Sequence, residues 1–305
     1  MGSLTRTDHP KNSKDPHMAN PADLAELLDL DRYPLFTPLV PAYREAVDRA
    51  RVALRADGCA VIDAIVRPEA VRRLSAEIVA RKRTTHYSTQ NINPYFHTTP
   101  DTSYPSHHPV NTFIERSSGF IPGDAWDDEC AISVMFRSDA LTRFLADCLE
   151  LPSLHCYADP LAGLTANILE PDQQFSWHFD TNDVAVTVLI DPADDGGLFE
   201  YAPATRTADN ENFEAIQAIL EGGRDGVRVL DLRPGDLQIF RGRHSLHRVT
   251  RVAATSQPRH SAIFAYTAEP GVIGRLARTV QLFGRALPAH EEAERERVRT
   301  DALID

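Results

Sequence analysis

The stretch Phe175-Ser176-Trp177-His178-Phe179-Asp180 decides the fold, because its residues suit a β-strand and it ends in a His-x-Asp pair. Side chains two apart on a strand project to the same face, so His178 and Asp180 would point the same way. A chain of 305 residues with 12 histidines should contain about one such pair by accident. The surroundings of the pair therefore decide whether it is a site.

Short β-branched and apolar runs separated by turn signals such as Arg233-Pro234-Gly235-Asp236 flank the stretch. The predicted strands are 164–169, 175–179, 184–190, 197–201, 227–232, 236–241, 247–252 and 259–267. A helical insertion at 210–222 interrupts them, and its end is marked by Gly222-Gly223. Many short strands at near-regular spacing indicate a sandwich or jelly roll, so we expect a mainly β fold with flanking helices.

Helical and strand patterns precede this β region. Residues 21–30 and 41–56 carry apolar residues at helical spacing, 59–66 form an apolar strand, and a helix opens at Pro68 and runs to about Arg83. Residues 86–122 contain five prolines without sustained periodicity, which predicts a long loop region with room for short strands. A plain surface crossing and a binding loop or lid explain this region equally well.

These patterns predict one catalytic domain over 18–305, preceded by an expression tag at 1–17 that ends near Asp15-Pro16-His17-Met18. Its expected parts are an N-terminal preface at 18–85, a loop-rich substrate or lid region at 86–135, a jelly-roll core at 136–270 and a C-terminal extension at 271–305. A charged, solvated helix is expected at 291–299.

The composition excludes several classes of partner. A net charge of −12 argues against nucleic acid and anionic membranes, which would repel the chain. No apolar run has membrane-spanning length, and the four cysteines lack Cys-x-x-Cys spacing, which is typical of a reducing cytoplasm. We therefore expect a cytoplasmic protein with a small-molecule substrate.

His247 completes a candidate metal site with His178 and Asp180. Two histidine nitrogens and one carboxylate oxygen on one face of a metal leave the opposite positions open for other ligands. The rival histidines are His244, which lies on the opposite strand face, and His260, which should face away from the barrel.

Arg259 and Ser261 also share a strand face. A hairpin centred near Thr255 would place His247 opposite a residue near Phe264, five residues or roughly 17 Å along the strand from Arg259. A metal-chelating five-carbon diacid and an extended arginine can bridge that gap. The guanidinium suits the far carboxylate because it is forked and always charged, and the serine hydroxyl adds a donor.

In these motifs the chain resembles the Fe(II)/2-oxoglutarate-dependent oxygenases. The resemblance spans most of residues 59–267, and within that family the chain looks most like the free amino acid hydroxylases and their related halogenases. The motifs that carry it are His178-Phe179-Asp180, Gly235-Asp236-Leu237, His247-Arg248-Val249 and Arg259-His260-Ser261.

The resemblance implies a double-stranded β-helix, Fe(II), 2-oxoglutarate and O2, with decarboxylation to succinate and CO2 and attack on an unactivated C–H bond. Halogenases of the family carry Gly or Ala where Asp180 stands, so the resemblance favours hydroxylation, with desaturation or cyclisation open from the same chemistry. Asn167 resembles a strand asparagine that many members direct at 2-oxoglutarate, although an ordinary strand asparagine explains it equally well.

Contacts to a small polar substrate, such as a free amino acid or a natural-product intermediate, are expected from Arg116, Thr181 and Asn182. Trp177 should point away from the metal and pack elsewhere. Two other classes of protein remain open. One is a jelly-roll metalloenzyme that isomerises or hydrolyses its substrate without redox chemistry; the other is a non-catalytic binding jelly roll. Neither needs an arginine and a serine placed to hold 2-oxoglutarate.

Overall fold

The computed structural model describes residues 21–182, 184–296 and 303–304. The segment interpreted as an expression tag, 1–17, lies outside these residues. Within them, no helix has both the length and the apolar character needed to cross a membrane.

Helices form the N-terminal part of the fold and return near its C-terminal end. In chain order they are α1 (Pro21–Leu27), α2 (Pro41–Asp57), α3 (Pro68–Arg81), α4 (Ala131–Phe136), α5 (Asp139–Leu149), α6 (Phe213–Leu220), α7 (Leu276–Phe283) and α8 (Pro288–Glu296). Their ends follow local rules. A proline opens α2 and Gly58 closes it in the left-handed conformation, while Ser138 Oγ caps α5 by accepting from the Leu141 N–H at 3.2 Å.

The strands make the centre of the fold. They are β1 (Cys59–Ile62), β2 (His86–Ile92), β3 (Ile114–Ile121), β4 (His155–Cys156), β5 (Leu164–Leu169), β6 (Phe175–His178), β7 (Val184–Asp191), β8 (Phe199–Ala202), β9 (Arg228–Leu230), β10 (Leu237–Phe240), β11 (Leu246–Val249) and β12 (Arg259–Thr267).

Two antiparallel sheets result. The larger has the order β1-β10-β7-β12-β5-β3-β2, with β4 pairing to one end of β12, and the smaller has the order β6-β11-β8-β9. This arrangement confirms the predicted mainly β fold with flanking helices and a jelly-roll core.

Alternation along the strands divides the large sheet into two faces. On β12, Ala262, Phe264 and Tyr266 join the main hydrophobic core with residues of helices α1 to α5. The intervening Ser261 and Ile263 face a cavity instead. One face of the sheet is therefore sealed by helices, and the other is available for a site.

Two predictions about connectivity need correction. The expected hairpin near Thr255 does not form, because β11 pairs with β6 and β8 in the small sheet while β12 pairs with β5 and β7 in the large one. The segment between them crosses from one sheet to the other. In the proline-rich region, where short strands within a long loop were expected, β2 and β3 take up both ends and pair as a regular antiparallel ladder, and the chain between them includes a 3-10 turn at Pro109–Asn111.

The C-terminal helices are tied firmly to this body. His290 on α8 is completely buried, and its Nε2 lies 3.1 Å from Oδ2 of the equally buried Asp159. The same carboxylate oxygen accepts from the backbone N–H of Gly274 at 2.9 Å, just before α7. Glu294 on α8 accepts from the first N–H of α7, that of Leu276. Helices α7 and α8 thus form one docked unit.

Candidate metal centre and its cavity

Three side chains predicted from the sequence meet at one point. His178 on β6 and His247 on β11 are direct cross-strand neighbours, and Asp180 lies just beyond the end of β6. Asp180 Oδ1 is 3.8 Å from His178 Nε2 and 3.5 Å from His247 Nε2. The ligand atoms all lie within 4.8 Å of one another, which leaves room for a metal with bonds of roughly 2.1 Å.

Both imidazoles are oriented by their second nitrogen. Nδ1 of His178 lies 2.8 Å from the carbonyl oxygen of Ser176, and Nδ1 of His247 lies 2.9 Å from that of Ser245. A ring that donates its Nδ1–H to a carbonyl presents the Nε2 lone pair, which is the form that binds a metal. The structure therefore prepares both histidines as ligands.

Charge in the centre favours metal binding. Burial lowers the pKa of His178 well below its ordinary value, and nearby His247 adds to that effect. Burial alone would raise the pKa of Asp180, but His247, His178 and Arg278 outweigh it and the net shift is downward. A neutral His178 imidazole beside an ionised Asp180 carboxylate suits a divalent cation.

Room for the Asp180 carboxylate depends on Gly242. A Cβ at this position would lie 1.8 Å from Oδ2 of Asp180, and the Gly242 carbonyl accepts the Asp180 N–H at 3.1 Å. The loop after β10 therefore fixes the third ligand by its backbone and by the absence of a side chain.

Arg259 and Ser261 line the same cavity as the triad, which has a volume of about 190 Å³. Arg259 is buried, and its Nη1 donates to Ser261 Oγ at 3.2 Å. Burial lowers the pKa of Arg259 to about 10, which keeps the guanidinium charged at neutral pH. Asn167 lies opposite Ser261 on β5 and also lines the cavity, while its Nδ2 donates to the Gly119 carbonyl at 3.2 Å.

The rival histidines lie elsewhere. His260 faces away from the cavity and its Nδ1 lies 2.8 Å from Asp191 Oδ2, and His244 is not part of the metal-ligand cluster. Trp177 packs in a separate cluster beneath Arg248, as expected from its strand phase.

Two of the three predicted substrate residues line the cavity, and the third lies behind its wall. Thr181 and Asn182 line the cavity beside the triad. Arg116 is fully buried, donates to Ser88 Oγ and lies over the Phe175 ring with its guanidinium carbon 5.2 Å from the centroid. Its Nε and Nη1 have no hydrogen-bond partner among the described residues. Phe175 thus stands between Arg116 and the metal centre, since its ring is 4.3 Å from that of His178.

Sequence reasoning missed the part of the wall that α7 supplies. Five residues of this segment face the cavity at helical spacing, namely Arg275, Arg278, Thr279, Leu282 and Phe283. Gly284 closes the helix in the left-handed conformation. That stop signal, together with the three- and four-residue spacing before it, could have identified the helix.

The antiparallel double-sheet fold and the His-Asp-His cluster define the chain as a member of the 2-oxoglutarate-Fe(II) oxygenase class. More closely, it belongs to the Halogenase D family, whose model matches residues 42–272.

Solved structures are similar to the chain at low identity. An oxidoreductase of the 2OG-Fe(II) oxygenase family from Burkholderia pseudomallei is 15% identical, with a TM-score of 0.50 over 74% of this chain and 92% of its own. AviO1 from Streptomyces viridochromogenes Tue57 is 16% identical, with a TM-score of 0.49 over 75% of this chain and 96% of its own. HygX from Streptomyces hygroscopicus, solved with nickel, 2-oxoglutarate and hygromycin B bound, is 14% identical, with a TM-score of 0.47 over 73% of this chain and 86% of its own. Among curated proteins, none matches the chain.

Proposed function

We propose that this protein is an Fe(II)/2-oxoglutarate-dependent dioxygenase that hydroxylates an unactivated C–H bond of a small molecule, such as a free amino acid or a natural-product intermediate. The observation that carries the proposal is the presence, in one cavity, of a prepared His178, His247 and Asp180 triad and a buried Arg259–Ser261 pair.

The residues divide into two roles. The triad would hold Fe(II), and Arg259 with Ser261 would hold the far carboxylate of 2-oxoglutarate, with Asn167 beside them. Iron bound there supplies the activation of O2 that is coupled to decarboxylation of 2-oxoglutarate to succinate and CO2. One oxygen atom of O2 would then end in succinate and the other in the substrate's new C–OH group.

Aromatic rings pack around both histidine ligands. The rings of Phe96 and Phe175 pack on His178 with centroid distances of 5.2 and 4.3 Å, and Phe240 packs on His247 at 4.8 Å. Exclusion of water protects a reactive site from side reactions and strengthens the charges that hold an anionic cosubstrate.

Asp180 favours hydroxylation over the halogenation that the family's name describes. Its carboxylate takes the third ligand position, and Gly242 leaves space for it. Chloride would therefore compete with a protein ligand that is already in place. A variant such as Asp180→Gly would remove that competitor, and mass spectrometry of its products with chloride present distinguishes added oxygen from added chlorine.

Thr181, Asn182 and Arg116 stay in the proposal as substrate contacts, with Arg116 reaching the cavity only if Phe175 moves. A cytoplasmic location remains part of the proposal and rests on the cysteine spacing in the sequence.

Anaerobic addition of Fe(II) and 2-oxoglutarate tests the proposal. The wild-type protein should develop a weak visible charge-transfer band. The band should disappear in His247→Ala, and in Arg259→Ala it should require much more 2-oxoglutarate. His260→Ala is the matched control, because this histidine faces away from the cavity.

Three results would exclude the dioxygenase assignment. These are no band in the folded wild-type protein, unchanged metal binding in His247→Ala, and unchanged 2-oxoglutarate binding in Arg259→Ala. Metal binding without any response to 2-oxoglutarate would favour a non-redox jelly-roll metalloenzyme, and binding of neither would favour a non-catalytic binding protein.

A further inference from the structure

Helix α7 closes one side of the metal cavity with a single face. The cavity-facing residues of this segment recur at three- and four-residue spacing, which places them on one side of a helix. The match to the family model covers residues 42–272 and stops before α7 begins. It therefore assigns no role to the side chains of α7.

Arg278 is the α7 residue that reaches toward the metal centre. Its guanidinium carbon lies over the Phe96 ring, 3.0 Å from the centroid, and that ring is 5.2 Å from the ring of His178. Its Nη1 donates to Gln281 Oε1 at 2.9 Å, which holds the side chain in place.

The remainder of the wall is mainly apolar. Six phenylalanines and Tyr157 line it, together with Val249, Ile263 and Leu282. Among the described residues that line the cavity, Asp180 supplies the one carboxylate, and it is already assigned to the metal. Such a wall suits an apolar body and offers no described carboxylate for a cationic side chain.

Other arginines near the cavity have different roles. Arg259 pairs with Ser261 at the proposed cosubstrate end, and Arg275 has its Nε 3.4 Å from Glu294 of α8. Arg116 lies behind Phe175. Arg278 lines the same cavity, and its guanidinium lies over a ring that packs directly on the metal ligand His178.

We propose that Arg278 binds the carboxylate of the substrate while the substrate's apolar body occupies the aromatic cavity, so that the enzyme takes aliphatic or aromatic monocarboxylates, including apolar amino acids. This inference rests on the proposed function, because it places the substrate beside the same metal centre. A guanidinium suits the task since it stays charged and forks onto a carboxylate.

Calorimetry on protein loaded anaerobically with Ni(II) and 2-oxoglutarate tests the inference without turnover. The probes are L-leucine, L-phenylalanine, 4-methylpentanoate, L-lysine and L-leucinamide, which has the shape of leucine without its carboxylate. The wild-type protein should bind at least one apolar carboxylate, and should bind it more tightly than L-lysine or L-leucinamide. Arg278→Gln should weaken carboxylate binding by about 10- to 100-fold and leave the amide unchanged.

Arg285→Gln is the matched control, because Arg285 follows the same helix but pairs with Asp124 at 2.7 Å and does not line the cavity. It should bind every probe as the wild-type protein does. Unfolding curves of both variants check that the helix remains docked.

Any of three results overturns the inference. The first is that the wild-type protein binds none of the three apolar carboxylates. The second is that it binds L-lysine more tightly than these carboxylates. The third is that Arg278→Gln distinguishes the carboxylates from L-leucinamide as well as the wild-type protein does. The Fe(II)/2-oxoglutarate band without substrate should be the same in Arg278→Gln and the wild-type protein. Its absence in the wild-type protein would refute the proposed function, whereas loss of charge discrimination with the band intact supports the role of Arg278.

Discussion

Replacement of Gly242 by alanine should damage the metal centre without unfolding the protein. The added Cβ would lie 1.8 Å from Oδ2, 2.6 Å from Cγ and 3.0 Å from Cβ of Asp180. Real Cβ contacts lie beyond 3.0 Å, so the carboxylate must move by more than an ångström. Ligand distances tolerate only about 0.2 Å, and this shift therefore removes Asp180 from the metal.

The expected loss follows from that displacement. Mutations that merely disturb the orientation of a ligand cost about 10- to 100-fold in metal affinity, so removal of the ligand should cost about 100-fold or more, or about 2.7 kcal/mol. The free energy of unfolding should change by less than about 1 kcal/mol, because the Asp180 side chain is 25% exposed and can turn outward.

A double-mutant cycle isolates the mechanism. Anaerobic Fe(II) titration of Gly242→Ala should match that of Asp180→Ala, and the double variant should be no worse than either single one, because both changes remove the same ligand. Gly271→Ala is the control, since its Cβ would enter open space and only the local backbone would be strained. Wild-type affinity in Gly242→Ala, or a full further loss in the Asp180→Ala background, would refute the reasoning.

Two further predictions concern the cosubstrate end and the C-terminal unit. Arg259→Lys should keep the positive charge but lose the two-pronged hydrogen bonding of the guanidinium. The 2-oxoglutarate concentration that gives half of the charge-transfer band should therefore rise about 10- to 100-fold, while the affinity for Fe(II) stays unchanged. An unchanged half-saturating concentration of 2-oxoglutarate would contradict the role assigned to Arg259. His290→Ala should cost about 3 kcal/mol in chemical denaturation, near the lower end for a broken buried pair, because Asp159 still accepts from three backbone N–H groups. A loss below about 1 kcal/mol would show that this pair does not anchor the helix.

Strand phase made much of the site predictable from sequence. The ends of β5 and β12 match the predicted ends, because both strands are flanked by turn residues. Alternation correctly placed Arg259 and Ser261 on the cavity face and His260 on the other. Strand ends and side-chain faces depend on neighbouring residues, so the local sequence pattern is enough to predict them.

Relations between distant segments were not predictable in the same way. The crossing from β11 to β12 has the turn residues of a hairpin, and nothing local specifies which sheet the next strand joins. β3 is buried although Arg116, Ser117, Ser118 and Gly119 occupy its centre, because strands on both sides pair with it. Its burial comes from tertiary pairing, which its composition does not reveal.

Because α7 lines the cavity from the C-terminal side of the sequence, the residues that we propose for oxidation and the arginine that we propose for substrate binding lie in different segments of the chain. The residues that we assign to the metal and to 2-oxoglutarate lie between 167 and 261, whereas the arginine that we assign to the substrate carboxylate is Arg278. Recombination among relatives at the junction near Gly271 would therefore exchange the proposed carboxylate-binding arginine, while Thr181 and Asn182 would stay with the residues that we assign to the metal. A natural or designed lineage could acquire new substrates through a change in one short helix.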